Sequence, residues 1–365
     1  MSLLNTISGW IKKDRNEMLS FHFDDSHVVG TYKDTPAQAG RHYFRISLVR
    51  MFLKKEVHLM KTWFPAAHSS VLCKFGDTSR EIPNIADTSK LFKEQQGGNV
   101  VATNFMLTPL LPFNGGEVTL VAGLFAMKGD DYLNKVITVM SDFAGLLQVP
   151  QLSTAMHVAT PLANGLETLF GANDGRMHLG YSNSFVGIEE GKSHEEGTAN
   201  YLREGYIAVV RVPADELDRD KLWVVDDMLH QGDSLTDNEP YSEHDYILLR
   251  IELREERDDF DKLTAIKTPF DNALHALAEQ DTEKANQQFR LCMVAAMGSA
   301  ELTQADKIRV VNVLKERYKE AKKTMIIDFL VDNEYSLQKD MQFAMSLDDA
   351  LEEGMPTLQM LLTDE

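Results

Sequence analysis

The chain has 365 residues, 43% of them hydrophobic, and a formal net charge of −19 at pH 7. This is enough for two domains with a sizeable core, while the negative charge excludes general affinity for nucleic acid, which needs clustered Lys and Arg against phosphates. Two cysteines far apart, Cys73 and Cys292, exclude a disulfide framework and read as reduced core residues; with no apolar run of about 18 residues, the expected location is cytoplasmic.

In the opening "MSLLNTISGWIKKDRNE" the lysines follow the short apolar run, the reverse of a secretory signal. "RHYFRISLVRMF" then places His42, Phe44, Ile46 and Leu48 at period two, and "EVHLMKTWF" follows after Lys54-Lys55. Two adjacent strands joined by a short turn are expected here. The segment from residue 50 to 64 is the one place where basic and aromatic residues interleave. Its Lys54, Lys55, Lys61 and Trp63 suit an anionic membrane or a nucleic-acid backbone, although a hairpin edge kept soluble by lysine explains them more simply. Cys73 with His68 is a conceivable nucleophile pair, since a neighbouring imidazole lowers a thiol pKa.

"VVATNFMLTPLLPF" and "EVTLVAGLFAM" flank Asn114-Gly115-Gly116, whose tolerance of left-handed backbone favours a hairpin, and Pro109 and Pro112 put the first strand at a sheet edge. From Asp130 the period becomes helical, and a helical pair is expected over 130–171, interrupted by Pro161. Strands return with "HLGYSNSFVG".

"FVGIEEGKSHEEGTANY" carries fragments of two catalytic motifs and completes neither. A phosphate-binding loop needs four residues between its glycines, and only Ile188 to Glu190 separate Gly187 from Gly191. A zinc-protease helix needs a second His four residues after the first, where Thr198 follows His194. The stretch reads as an acidic loop. No cofactor or metal site is expected: Asp215, Asp218 and Asp220 in "PADELDRD" lack the glycine and distal glutamate of a calcium loop and suit a capped turn between strands.

"GYIAVVRVP", "KLWVVDD" and "HDYILLRIELRE" are further strands. In the last, Ile247, Leu249, Ile251 and Leu253 face one way, and Arg250, Glu252 and Arg254 the other, indicating a sheet with one solvated face. Charge is concentrated here. Residues 189–259 hold 8 Lys/Arg against 21 Asp/Glu, whereas residues 1–80 hold 12 against 7. Such a layout suits an acidic face that recruits a basic protein partner, and Asp226, Asp227, Asp233 and Asp237 are its candidate docking residues. A solvated surface that only aids solubility is the simpler reading of any single run.

Beyond "REERDDFDK" the pattern is helical throughout. Phe270, Leu274 and Leu277 share a face, as do Phe289, Cys292, Met293 and Ala296; Thr303 and Asp306 form a capping-box variant ahead of Ile308, Val311, Leu314 and Tyr318, all expected inward. A last helix is expected from Ser346, and the Met-rich "MQFAMSLDDALEEGMPTLQM" is a candidate partner-binding segment. The fold class is therefore α+β: an antiparallel sheet or sandwich over 1–258 with the helical insertion at 130–171, followed by a helical domain over 259–365.

"FNGGEVTLVAGLFAMKGDDYL", the helical pair after it, "GYIAVVRVPADELDRDKLWVVDDMLH" and "SEHDYILLRIELREERDDF" resemble a family of bacterial proteins associated with caspase-like, CHAT-type proteases in defence systems, CRISPR-associated ones among them. The resemblance spans residues 105–260. It implies a regulator or protease substrate whose partner is a protease or a sigma factor, and it transfers no catalytic residue. The residues themselves support a non-enzymatic regulatory or adaptor protein. The alternatives are an enzyme whose site assembles from distant residues such as Cys73 and a histidine, and a membrane-associating effector acting through the 50–64 segment.

Overall fold

The computed structural model describes residue 11 and residues 18–30, 35–52, 63–76, 78–85, 100–128, 176–188, 200–213 and 216–332. The chain divides into two units. One comprises residues 1–263 with Ser299–Lys307, the other Thr264–Gly298 with residues from Ile308 onward. The expected helical insertion at 130–171 and the helix from Ser346 lie outside the described residues.

The first unit is a stack of three antiparallel sheets. Its central sheet runs in the order β1 (Leu19–His22), β9 (Gly205–Val210), β13 (Tyr246–Arg254), β2 (Tyr43–Phe52), β5 (Val100–Met106), with the two-residue β6 (Leu111–Pro112) also paired to β2. Against one face lies a four-stranded sheet, β4 (Thr78–Ile85), β3 (Trp63–Phe75), β7 (Glu117–Lys128), β8 (Arg176–Val186). The main core fills the space between them: Phe44, Ile46, Leu249 and Ile251 from the central sheet meet Val71, Leu120, Leu124 and Leu179. Period-two alternation produces this directly, since every second side chain of a strand points the same way.

On the other face of the central sheet lies a third layer. A three-stranded sheet of β10 (Leu222–Val225), β11 (Met228–Ser234) and β12 (Asp237–Pro240) packs Leu222, Val224 and Leu229 onto Val49, Val210 and Leu248. Along β13 the expected alternation of Ile247, Leu249 and Ile251 holds, but Tyr246 and Leu248 on the opposite side are buried by this third layer. Only the later residues of β13 carry polar groups there: Arg45 Nη2 and Arg254 Nε both bind Glu252, at 2.7 and 2.5 Å. Strand β2 changes phase midway. Leu248 pairs with Arg50 and Leu249 with Leu48, so Val49 is an extra residue that moves the core-facing positions from Phe44, Ile46 and Leu48 to Met51.

The expected hairpin between β5 and β7 is not formed, since the two strands belong to different sheets; β2 and β3 also belong to different sheets, and most of the strand expected over 56–64 lies outside the described residues. Gly115 and Gly116 do adopt left-handed backbone, φ 79° and 76°, but their turn carries the chain from one sheet to the other. Strand β5 ends its sheet, as the prolines required.

In the second unit, α1 (Thr264–Ala278) and α2 (Thr282–Met297) form a helical hairpin. The left-handed Gln280 (φ 62°) ends α1, and the Asp281 carboxylate caps α2 by accepting from the Lys284 N–H at 3.0 Å. The unit's residues of α3 (Gln304–Asp332) bury Val311, Leu314 and Tyr318; Phe289 stacks on Tyr318 with ring centroids 4.1 Å apart. Ile308 departs from the expected inward position and is 40% exposed, while Val310 is buried.

The root of α3 belongs to the first unit. Asp306 N–H donates to Thr303 Oγ1, one half of the expected capping box. The other half is diverted: Asp306 Oδ2 accepts from Tyr43 Oη at 2.7 Å and from Arg257 N–H at 3.1 Å, and the Thr303 N–H donates to Tyr43 Oη. Arg257, 1% exposed, also binds Asp259 and the Glu301 side chain and carbonyl. Together these bonds fix Ser299–Lys307 against β2.

Candidate functional site

Residues 216–245, which form the three-stranded sheet and its flanks, contain ten Asp/Glu and two Lys/Arg. Because Leu222, Val224 and Leu229 are committed to the core, the carboxylates are left on turns, strand ends and the edge strand β12. Asp218 caps a short 3-10 helix over Arg219–Lys221, accepting from the Asp220 N–H, which is the capped turn the sequence suggests. Asp215 lies outside the described residues.

The four candidate docking residues separate into two pairs. Asp226 and Asp227 form the two-residue turn between β10 and β11, both with left-handed backbone (φ 49° and 59°), the geometry a tight hairpin between right-twisted strands requires. Asp233 and Asp237 lie at the far end of β11, seven residues long, so about 20 Å separates the pairs. Within each pair one carboxylate is engaged. Asp227 accepts from Tyr206 Oη at 2.6 Å, and burial together with this bond raises the Tyr206 pKa well above its ordinary value. Asp233 pairs with Lys221 at 2.9 Å and holds its ammonium above the usual range. Asp226 and Asp237 are exposed and take part in no ion pair among the described residues, and Glu239 and Glu243 are exposed beside them.

The cysteine pairing is not assembled. Cys73 is 3% exposed, and burial pushes its thiol up to about 12, so the thiolate a nucleophile needs is suppressed. His68 lies five residues away on the same strand, about 16 Å along it. Cys292 is likewise buried in the helical unit, its thiol raised to about 12 by the same cause. Lys54, Lys55 and Lys61 lie outside the described residues, and Trp63 is the first residue of β3.

The acidic loop 189–199 is outside the described residues, but its roots are fixed: Val186 N–H donates to the Asn200 carbonyl and Leu202 N–H to that of Val186. Gly187 is there for packing. A Cβ built on it would stand 2.1 Å from Cε1 of the buried Phe113.

One cluster has no signal in the sequence. His178 on β8, Arg211 after β9 and Asp245 before β13 meet where strands of two sheets end. His178 Nε2 is 2.6 Å from Asp245 Oδ2, while Arg211 Nη1 donates to the His178 carbonyl at 2.7 Å and lies 3.4 Å from Nδ1. Both ring nitrogens are thus occupied within the protein, which makes the trio a clamp between sheets and leaves no lone pair to act as a general base. An apolar void of about 10 Å³ lined by Leu48, Leu107, Leu124 and Leu249 is too small for any substrate. Among the described residues no group of acidic, His and Cys side chains could hold a metal, and no helix is long and apolar enough to cross a membrane.

No family model matches the chain, and neither curated proteins nor solved structures give a match. The exposed carboxylates of the third sheet are the feature on which a function can be argued.

Proposed function

We propose that the protein is a non-enzymatic regulatory or adaptor protein whose three-stranded sheet docks a basic protein partner. The observation that carries this reading is the concentration of carboxylates over residues 216–245, where Asp226, Asp237, Glu239 and Glu243 stand exposed and form no ion pair among the described residues. Carboxylates so placed repel one another, and a cationic surface relieves that repulsion and is steered toward it. Edge protection is the competing explanation, and Pro240 and the β12 acids do blunt the edge against strand addition. It accounts for β12 and leaves Asp226 and Glu243 unexplained. The defence setting, with a protease or sigma factor as partner, comes only from the resemblance of residues 105–260.

The test is capture of partners from the native cell by wild-type protein and by a variant carrying Asp237→Lys, Glu239→Lys and Glu243→Lys. Asp227 and Asp233 are spared because they bind Tyr206 and Lys221, and Asp226→Asn is preferred to Lys because Asn tolerates left-handed backbone. Loss of a stoichiometric partner from the variant, with its circular dichroism unchanged, supports the docking face; the same partner at the same occupancy refutes it.

A further inference from the structure

We infer that the docking face reads arginine, with Trp223 as the surface on which a partner's guanidinium stacks; this deepens the docking reading and rests on it. The three-stranded sheet has two faces. Leu222, Val224 and Leu229 point into the core, so Trp223 and His230 point away from it. The register puts Trp223, His230 and Pro240 in one row across the three strands, on the outer face.

Two features of this row call for a ligand of particular chemistry. The first is a planar surface: the Trp223 indole, its N–H donating to the Gly232 carbonyl at 2.9 Å, is stacked by the His27 ring at 4.5 Å between centroids and 28° between planes. The second is a lone pair. His230 is 8% exposed, and its Nδ1 lies 2.6 Å from Asn238 Oδ1. Asn238 donates through its amide nitrogen to the carbonyls of Ser234 and Leu235, which fixes Oδ1 as an acceptor and places the imidazole proton on Nδ1. Nε2 is therefore an acceptor, and it is buried with no hydrogen-bond partner among the described residues.

Charge completes the specification. Asp24 and Asp25 are exposed on the turn that carries His27. The two basic residues of 216–245 are both engaged, Lys221 with Asp233 and Arg219 over the Phe21 ring. A stacking plane, an acceptor lacking a donor and the two carboxylates of the His27 turn match a planar, donor-only cation. Guanidinium meets all three conditions, whereas an ammonium offers the charge without the plane.

His27 holds the stacking position in the free protein. The turn's backbone is held by the buried Val28 and by the Val29 N–H bond to the Val224 carbonyl, but Asp25–His27 itself has no buried residue and no side-chain cap from Asp24, so the exchange is a swing of the His27 side chain away from Trp223 to admit a partner's arginine.

The experiment is calorimetric titration of the full chain with a short peptide alternating arginine and glycine, and with its lysine counterpart of equal charge. The arginine peptide is expected to bind about fivefold tighter, Trp223→Val to remove that preference, and His27→Ala to tighten arginine binding by about threefold, these being the scale of one cation–π contact. Equal affinity for the two peptides overturns arginine reading while leaving the docking face standing. Binding of neither peptide, by wild type or by His27→Ala, removes both. If Trp223→Val does not fold, His27→Ala alone decides: weaker or unchanged arginine binding overturns the inference.

Discussion

His42 shows how burial acts on one side chain. The alternation of "RHYFRISLVRMF" includes it, and it lies one residue before β2, 8% exposed, with Nδ1 accepting from the Gln38 N–H at 2.8 Å. Burial lowers its pKa from the ordinary 6.5, Arg41 adds to that, and Glu255 opposes it without prevailing. The sign of the linkage follows. The unfolded chain takes up a proton near the ordinary value while the folded chain still resists it, so this contribution to stability is intact above that pH and declines as pH falls toward the lower folded value. The wild-type urea midpoint should therefore fall from about pH 7 to about pH 5 more steeply than that of His42→Gln. Parallel curves for the two proteins would contradict it, as would an NMR titration of His42 centred at or above the ordinary value.

Among elements, the consequence easiest to test is the end of β8. Gly187 sits where an added Cβ would meet Phe113 Cε1 at 2.1 Å and the Ala37 carbonyl at 2.7 Å. Phe113 is 1% exposed and the Ala37 oxygen is backbone, so neither can move freely. Gly187→Ala should cost about 1–3 kcal/mol, the range for overpacking, measured by urea unfolding; a loss below about 0.5 kcal/mol would mean that the loop root can shift. The glycine was legible in the sequence as a failed phosphate-loop residue, but its packing role was not, because Phe113 is 74 residues away in the chain.

The same limit explains the misplaced hairpin. Alternation in "RHYFRISLVRMF" identifies β2 correctly, since the pattern is local. Which strand it joins depends on β13, some 200 residues later, and nothing local marks that choice. Strands β11 and β12, "MLHQGDS" and "DNEP", carry no apolar alternation, because only Leu229 among them faces the core. Asp226-Asp227 between two apolar runs is a readable hairpin turn, since Asp tolerates the left-handed backbone such a turn needs. The docking surface was thus legible as composition, while its division between the two ends of β11 required the strands.

For the whole molecule, the division into units does not follow a single cut in the chain. The first unit ends at Leu263 and recovers Ser299–Lys307 later, so a chain truncated after Leu263 keeps every described strand yet loses Glu301, Thr303 and Asp306. Those residues satisfy two of the most deeply buried polar side chains in the unit. Without them the Tyr43 hydroxyl loses both its acceptor and its donor, and Arg257 keeps Asp259 but loses the Glu301 side chain and carbonyl and the Asp306 carboxylate. A buried charge stripped of part of its compensation costs about 3–5 kcal/mol, a large share of the stability of a domain. The chain truncated after Leu263 should therefore unfold at a much lower urea concentration than the full protein. A second truncation, in which Arg257→Met and Tyr43→Phe remove the stranded polar groups, should recover part of the loss because the penalty arises from those groups. If the truncated β-sheet unit matches the full chain in stability, or if the double substitution gives no recovery, the Arg257–Asp306–Tyr43 network is not what joins Ser299–Lys307 to the sheets.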